Sequence, residues 1–184
     1  IMSPNSSSAL MAGERGWIPI SGASFLQPRY TSSHWERYAE GADKAGRQAD
    51  PDEWRISRSI VVAPSDAEAK DYVLNPDGPM HFWFRYLLSS LASRGLVKFI
   101  APDGHPDPDN VTWEEAALDM VTWGSPATVT DKLVALRERT GHFGVLTMLA
   151  HEWDDEAFCK RSIQLLAEEV MPAFAKHAQA SKAA

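Results

Sequence analysis

Three short apolar runs interrupt a chain that is otherwise patterned at helical spacing. Trp17 to Ser21, Trp54 to Ala63 and Phe143 to Ala150 each carry enough large or β-branched side chains to read as strands. Pro19 sits inside the first run, where proline donates no ladder hydrogen bond. The second run alternates through Trp54-Arg55-Ile56-Ser57-Arg58 and then turns continuously apolar, as a strand covered on both faces would. The end of a fourth strand is expected at Ile1.

Between these runs the period lengthens. Serines and Asn5 in residues 3–9 suit a helix start ahead of Ala9, Leu10, Met11 and Ala12, with Gly16 as the stop. From Ser33, residues Trp35, Tyr38, Ala39, Ala42 and Ala45 recur at steps of three and four up to Gly46. Ser65 predicts the N-cap of a helix over Asp66 to Val73. Ser125-Pro126 opens another, running through Val129, Leu133 and Leu136 to Gly141. A long amphipathic helix is expected from Asp154 to about His177, with Phe158, Ile163, Leu166, Ala167 and Val170 on one face and a bend at Pro172. Residues 75–113 break the rhythm: an aromatic helical segment, Met80 to Leu96, leads into Ala101 to Asn110, which holds three prolines and three aspartates and reads as an exposed loop.

Strands alternating with helices imply crossover units and a parallel α/β sheet. Three strands cannot close an eight-stranded barrel, so the sheet is either small and open or a fraction of a larger one. The fraction is the favoured reading, and the abrupt opening at Ile1-Met2-Ser3-Pro4 fits a chain that joins its domain midway.

Composition narrows the function classes. The 184 residues are 44% hydrophobic and include seven Trp and seven Phe, which excludes disorder along the chain. A net charge of −7 argues against a general polyanion-binding surface, so no nucleic-acid partner is expected. One cysteine, Cys159, leaves no intramolecular disulfide framework and no Cys-based zinc site. The apolar runs are too short to span a membrane, and no basic-then-apolar leader opens the chain; a cytoplasmic protein is expected.

Ligands in parallel α/β folds sit beyond the carboxyl ends of the strands. That rule points to Ser3 to Ser8, Ser21 to Phe25, Ala63 to Asp66 and Ala150 to Asp154. Hydroxyls and an amide ahead of a helix N-terminus suit a phosphate, although simple N-capping explains them too. His151-Glu152 could supply a general acid or base, but is weak as a metal site. Asp103, His105, Asp107 and Asp109 alternate, yet Pro106 and Pro108 break the run and a solvated loop is the better reading. Cys159 fits a structural thiol, and His34 and Trp35 fit capping or packing. Phe82, Trp83, Phe84 and Tyr86 fit either a core stripe or the wall of a pocket for a flat ligand.

The ordered motifs MSPNSSSALMAGERGW (2–17), HWERYAEGADKAGR (34–47), WRISRSIVVAPSDAEA (54–69), WGSPATVTDKL (123–133), HFGVLTMLAHEW (142–153) and RSIQLLAEEVMP (161–172) resemble the carboxyl-terminal half of the luciferase-like flavin-dependent monooxygenases. The resemblance implies the C-terminal portion of a (β/α)8 TIM barrel, strands six to eight with flanking helices, residues 1–184 forming one partial domain. It implies reduced FMN as cofactor, supplied by a separate flavin reductase, with its phosphate against Asn5, Ser6, Ser7 and Ser8. It also implies O2 and a small organic substrate, and a lid-like insertion at about 75–113 that shields a reactive intermediate from water. Catalytic residues are expected in the amino-terminal half of the barrel, a necessary partner of this part, and a homo-oligomer is expected. Two other roles remain open within the family: a non-catalytic barrel subunit, and a deazaflavin-dependent oxidoreductase.

Overall fold

The computed structural model describes residues 7–22 and 27–183, with side chains to residue 178. The expected strand end at Ile1 and two of the candidate phosphate residues, Asn5 and Ser6, lie outside the described residues. The elements are α1 (Ser7–Arg15), β1 (Ile20–Gly22), α2 (Pro28–Lys44), β2 (Arg55–Val62), α3 (Asp66–Val73), α4 (Pro79–Ala92), α5 (Trp113–Met120), β3 (Thr122–Gly124), α6 (Pro126–Thr140), β4 (Val145–Leu149), α7 (Glu156–Leu165), a π-helical turn (Leu166–Val170) and α8 (Met171–Ala183). The chain divides into two compact units, Ile1–Arg58 with Leu136–Leu149, and Ser59–Ala135 with Ala150–Ala184.

β2 is the strand to which the others attach. β1 runs parallel to its first half, Ile20 opposite Arg55 and Gly22 opposite Ser57. β3 runs parallel to its second half, Ile60 opposite Thr122 and Val62 opposite Gly124, and β4 also pairs with β2. Every residue of β2 after Arg55 is buried, which accounts for the unbroken apolar stretch Ile60-Val61-Val62-Ala63. The fold is thus α/β with a parallel sheet. β3 is a fourth strand that the sequence pattern does not announce: Thr-Trp-Gly is too short to show a period, and the ladder of β2 defines it. The first run is shorter than expected. Trp17 and Ile18 are exposed, and Pro19 contributes only its carbonyl, which accepts from Arg55 N–H at 3.0 Å.

In the first unit α1 and α2 meet backbone to backbone. A Cβ at Gly13 would collide with the Tyr38 carbonyl, and one at Gly41 with the Leu10 carbonyl, so each helix presents a glycine where the other approaches. Trp35 of α2 stacks between Tyr38 and Trp54, at centroid distances of 5.6 and 5.4 Å, and Trp54 Nε1–H donates to Ser21 Oγ at 2.9 Å. The same face of α2 buries His34. α2 begins at Pro28, five residues before the expected start, because proline at the first helical position needs no N–H partner.

In the second unit α3 and α6 form as expected, the first capped by Ser65 Oγ accepting from Glu68 N–H at 3.2 Å. α5 is an addition, closed by a capping box in which Thr112 and Glu115 satisfy one another's backbone. The last helix is not continuous. Pro172 lacks the N–H that would reach back one turn, and its ring crowds that carbonyl; the ladder widens into the π turn just ahead of it. The buried face also differs from the expected one. Ile163 and Ala167 are exposed and Phe158 half-buried; the inward residues are Ser162, Leu166, Val170 and Phe174, four apart. Ser162 reads as polar in sequence, but its Oγ accepts from the Val62 N–H at 2.8 Å, which makes it a fitting inward residue.

Gly41→Ala is expected to lower the urea midpoint by the equivalent of about 1–3 kcal/mol, because overpacking two helix backbones outweighs the ~1 kcal/mol that alanine gains in a helix interior. A raised midpoint contradicts the close approach of α1 and α2.

Candidate functional site

Two places combine a strand's carboxyl end, or a helix's amino end, with polar groups left unspent by the fold. In the first unit α1 begins at Ser7. Ser8 Oγ is shielded from solvent and has no hydrogen-bond partner among the described residues. A buried hydroxyl without a partner is unusual, since folds satisfy nearly all such groups. It sits in the first turn of a helix whose free N–H groups and dipole favour an anion. The position of α1 is fixed from its other end: the Gly13 and Gly41 contacts seat it on α2, and the Arg47 guanidinium donates to the Gly13 carbonyl near the helix C-terminus.

In the second unit His151 follows β4. Its Nε2 shares a 2.8 Å hydrogen bond with Ser59 Oγ, a fully buried hydroxyl in the middle of β2. The indole of Trp83, from α4, lies against the imidazole with ring centroids 5.7 Å apart. Trp83 Nε1–H is sealed from solvent without an acceptor among the described residues. Burial pulls the His151 pKa below the usual histidine value, so the ring is neutral at pH 7. Beyond it, Asp154 Oδ1 accepts from the Tyr72 hydroxyl at 2.9 Å, Cys159 Sγ lies 3.5 Å from that Tyr72 hydroxyl oxygen, and Phe158 stacks on Tyr72 at 4.0 Å. Burial, followed by these two neighbours, raises the Tyr72 pKa well above its ordinary value. Tyr72 therefore stays protonated and fastens α3 to the start of α7.

The other sequence candidates resolve individually. The aromatic stripe splits: Phe84 is core, whereas Phe82 and Tyr86 are 72% and 62% exposed, beside an open depression of about 510 Å³ lined by Pro76, His81 and Arg85 among others. The aspartate-rich loop holds itself together, with His105 Nε2 3.3 Å from Glu115 Oε1 and Asn110 Nδ2 donating to Asp107 at 2.9 Å. No cluster of three or more metal-ligating side chains occurs among the described residues. Of the Ala63 to Asp66 segment, Asp66 is the active part: its carboxylate accepts from Ser125 N–H at 2.7 Å and Thr128 Oγ1–H at 3.0 Å. Those bonds, the backbone one first, hold its pKa below the ordinary range and tie α3 to the start of α6.

Comparison with known proteins agrees with this architecture. No protein-family profile matches the chain. It is 37% identical over 170 residues to the 3,6-diketocamphane 1,6-monooxygenase of Pseudomonas putida, an alignment spanning 91% of this chain and 44% of that protein. It is 32% identical over 174 residues to the 2,5-diketocamphane 1,2-monooxygenase 1 of the same organism, spanning 93% and 47%. The structure superposes with a TM-score of 0.82 and 36% identity on the oxygenating constituent of 3,6-diketocamphane monooxygenase from Pseudomonas putida, a type II Baeyer-Villiger monooxygenase solved in complex with FMN, over 94% of this chain and 47% of that one. Its homologues are luciferase-like flavin-dependent monooxygenases. The chain spans about half the length of the relatives it matches. No helix among the described residues is long and apolar enough to cross a membrane.

The neutral state of His151 has a thermodynamic consequence. The unfolded chain takes up this proton at a higher pH than the folded chain, so stability falls as pH drops through about 6.5, down to the lowered folded value. Replacing the imidazole by a non-titrating side chain removes the dependence: His151→Asn is expected to flatten the stability–pH curve below about pH 7, read from denaturation midpoints. An unchanged slope means that His151 titrates normally in the folded protein.

Proposed function

We propose that this chain is the carboxyl-terminal part of a (β/α)8 barrel oxygenase that uses reduced FMN and O2 to oxygenate a small organic substrate. The likeness to the diketocamphane monooxygenases over more than nine-tenths of the chain carries the proposal. A sheet of four strands centred on β2 cannot close a barrel, and the relatives are about twice as long; the remaining strands come from the other half of the same barrel.

The fit of the flavin is tested by the orphaned hydroxyl. An FMN phosphate at the start of α1 gives Ser8 Oγ the partner it otherwise lacks and faces the N–H groups of the first turn. Ser7 would join it, with Asn5 and Ser6, which lie outside the described residues. When bound, reduced FMN supplies the electrons that activate O2, and a separate flavin reductase supplies the reduced flavin. The protein's own tasks are to hold the phosphate, orient the ring and keep water away. Residues of about 75–113, with α4 and the aspartate-rich loop, would act as a lid over the substrate. The protein would work in the cytoplasm as a homo-oligomer.

Anaerobic titration of the full-length protein with reduced FMN and with reduced riboflavin tests the phosphate site. Ser8→Ala is expected to weaken FMN about tenfold or more, as for a lost hydrogen bond to a charged group, and to leave riboflavin unchanged. Absence of flavin binding by the wild type overturns the reading. An equal loss for both flavins overturns the assignment of Ser8.

A further inference from the structure

The fully buried residues of α1 are Ala9, Ala12 and Gly13, none of them long enough to interlock with a neighbouring helix. Where α1 meets α2, the contact is glycine against carbonyl, at Gly13 and at Gly41. A smooth contact of this kind sets the distance between two helices better than it sets their angle. Ser8 lies five residues from Gly13, about 7 Å along the axis, so a tilt of about 8° displaces it by about 1 Å. A second point of attachment removes that freedom, and Arg47 supplies it. Both helices end on a glycine in the left-handed region, Gly16 at φ 66° and Gly46 at φ 69°. The same pair of backbone bonds closes each end. Trp17 N–H donates to the Ala12 carbonyl at 3.0 Å and Gly16 N–H to that of Gly13 at 3.1 Å; Arg47 N–H donates to Ala42 at 2.9 Å and Gly46 N–H to Asp43 at 2.8 Å. Arg47 thus closes α2 with its backbone, while its guanidinium crosses to α1 and donates to the Gly13 carbonyl.

We propose that Arg47 is a positioning residue for the flavin phosphate: by fastening the last turn of α1 it fixes where the first turn, with Ser7 and Ser8, presents its donors. The role rests on the flavin reading proposed above and adds to it a residue at the opposite end of the helix. Gly13 and Gly41 form the pivot, and the Arg47 bond sets the direction in which α1 points from it. A phosphate takes hydrogen bonds from several donors at once, so its affinity depends on that direction, whereas a flavin without phosphate makes no demand on the turn. A guanidinium suits the task for two reasons. Its charge stands at the negative end of the helix dipole and so favours an anion at the other end. Its planar fork also holds a carbonyl in one geometry, where a lysine ammonium rotates freely. Gly16 is needed twice, for its left-handed backbone and for the space beside it, since a Cβ there would come within 3.1 Å of Arg47 Cζ.

Titrating the full-length protein with reduced FMN and with reduced riboflavin reads this role as a ratio of affinities. Arg47→Met keeps the side-chain stem and removes the donor and the charge. It is expected to weaken FMN about fivefold, the size of a lost charge–dipole contact, and to leave riboflavin unchanged. Arg47→Lys, which restores the charge, is expected to recover part of the loss. Combined with Ser8→Ala, Arg47→Met is expected to cost less than it does alone, because both act on one phosphate. In the wild type, FMN is expected to slow hydrogen exchange at the Gly16 and Trp17 amides more than riboflavin does, since coupling between the two ends of α1 runs both ways. A purely structural Arg47 lowers the denaturation midpoint of Arg47→Met but leaves the FMN-to-riboflavin ratio where it was, and that result overturns the proposal. Where Arg47→Met does not fold, equal protection of the two amides by the two flavins overturns it. If the wild type binds no flavin, or binds FMN no more tightly than riboflavin, the phosphate-site reading fails first and this role with it.

Discussion

A strand bonded along both edges and covered on both faces sets the terms for everything else in this chain. β2 pairs with β1, β3 and β4, and seven of its eight residues are buried. Water cannot satisfy its backbone, so each of its peptide groups must find a partner within the protein. That demand explains local details that otherwise look unrelated: the short β1 and β3 exist only where β2 offers a ladder, and Ser162 is inward because Val62 N–H needs an acceptor. The polar residues in its middle follow the same logic. Ser59 is tolerated at a fully buried position because His151 meets its hydroxyl.

The division of the chain into two units falls within this strand, between Arg58 and Ser59. Each unit is also built from two stretches of sequence, so neither corresponds to a contiguous segment that could be cut out and expressed. The phosphate-site candidates belong to the first unit and the His151 cluster to the second. In the first unit the decisive constraint is steric: glycines at positions 13 and 41 let two helix backbones touch, and the register of that contact determines where the amino end of α1, with Ser8, comes to rest.

Much of this was open to reading from residue patterns, for identifiable reasons. β2 and α3 declare themselves through a β-branched run and a serine cap, signals that act over a few residues. α5 was equally declared, by the Thr112-Trp113-Glu114-Glu115 capping box, a signal obscured by the loop before it. β3 was not, because three residues carry no period and its ladder is supplied by a strand some sixty positions away. The inward face of the last helix was misjudged where hydropathy ranked Ile163 above Ser162; a buried backbone donor outweighed a methyl group. The candidate chemistry divides along the same line. Ser7 and Ser8 stand out next to a helix start, whereas His151 gains meaning only beside Ser59 and Trp83, residues 92 and 68 positions earlier, which no local pattern connects.

The π turn at Leu166–Val170 illustrates how a single awkward residue can be turned to geometric use. Side chains four apart on a regular helix drift around the axis by about 40° per step, so Ser162, Leu166, Val170 and Phe174 would spiral away from a common partner. A wider turn in the middle winds back part of that drift and keeps the four in one line. Restoring a regular ladder through the turn at unchanged length would swing everything after it by roughly a quarter of a revolution and put charged Glu169 where Val170 now lies. Pro172 thus behaves as a phase corrector for the terminal helix.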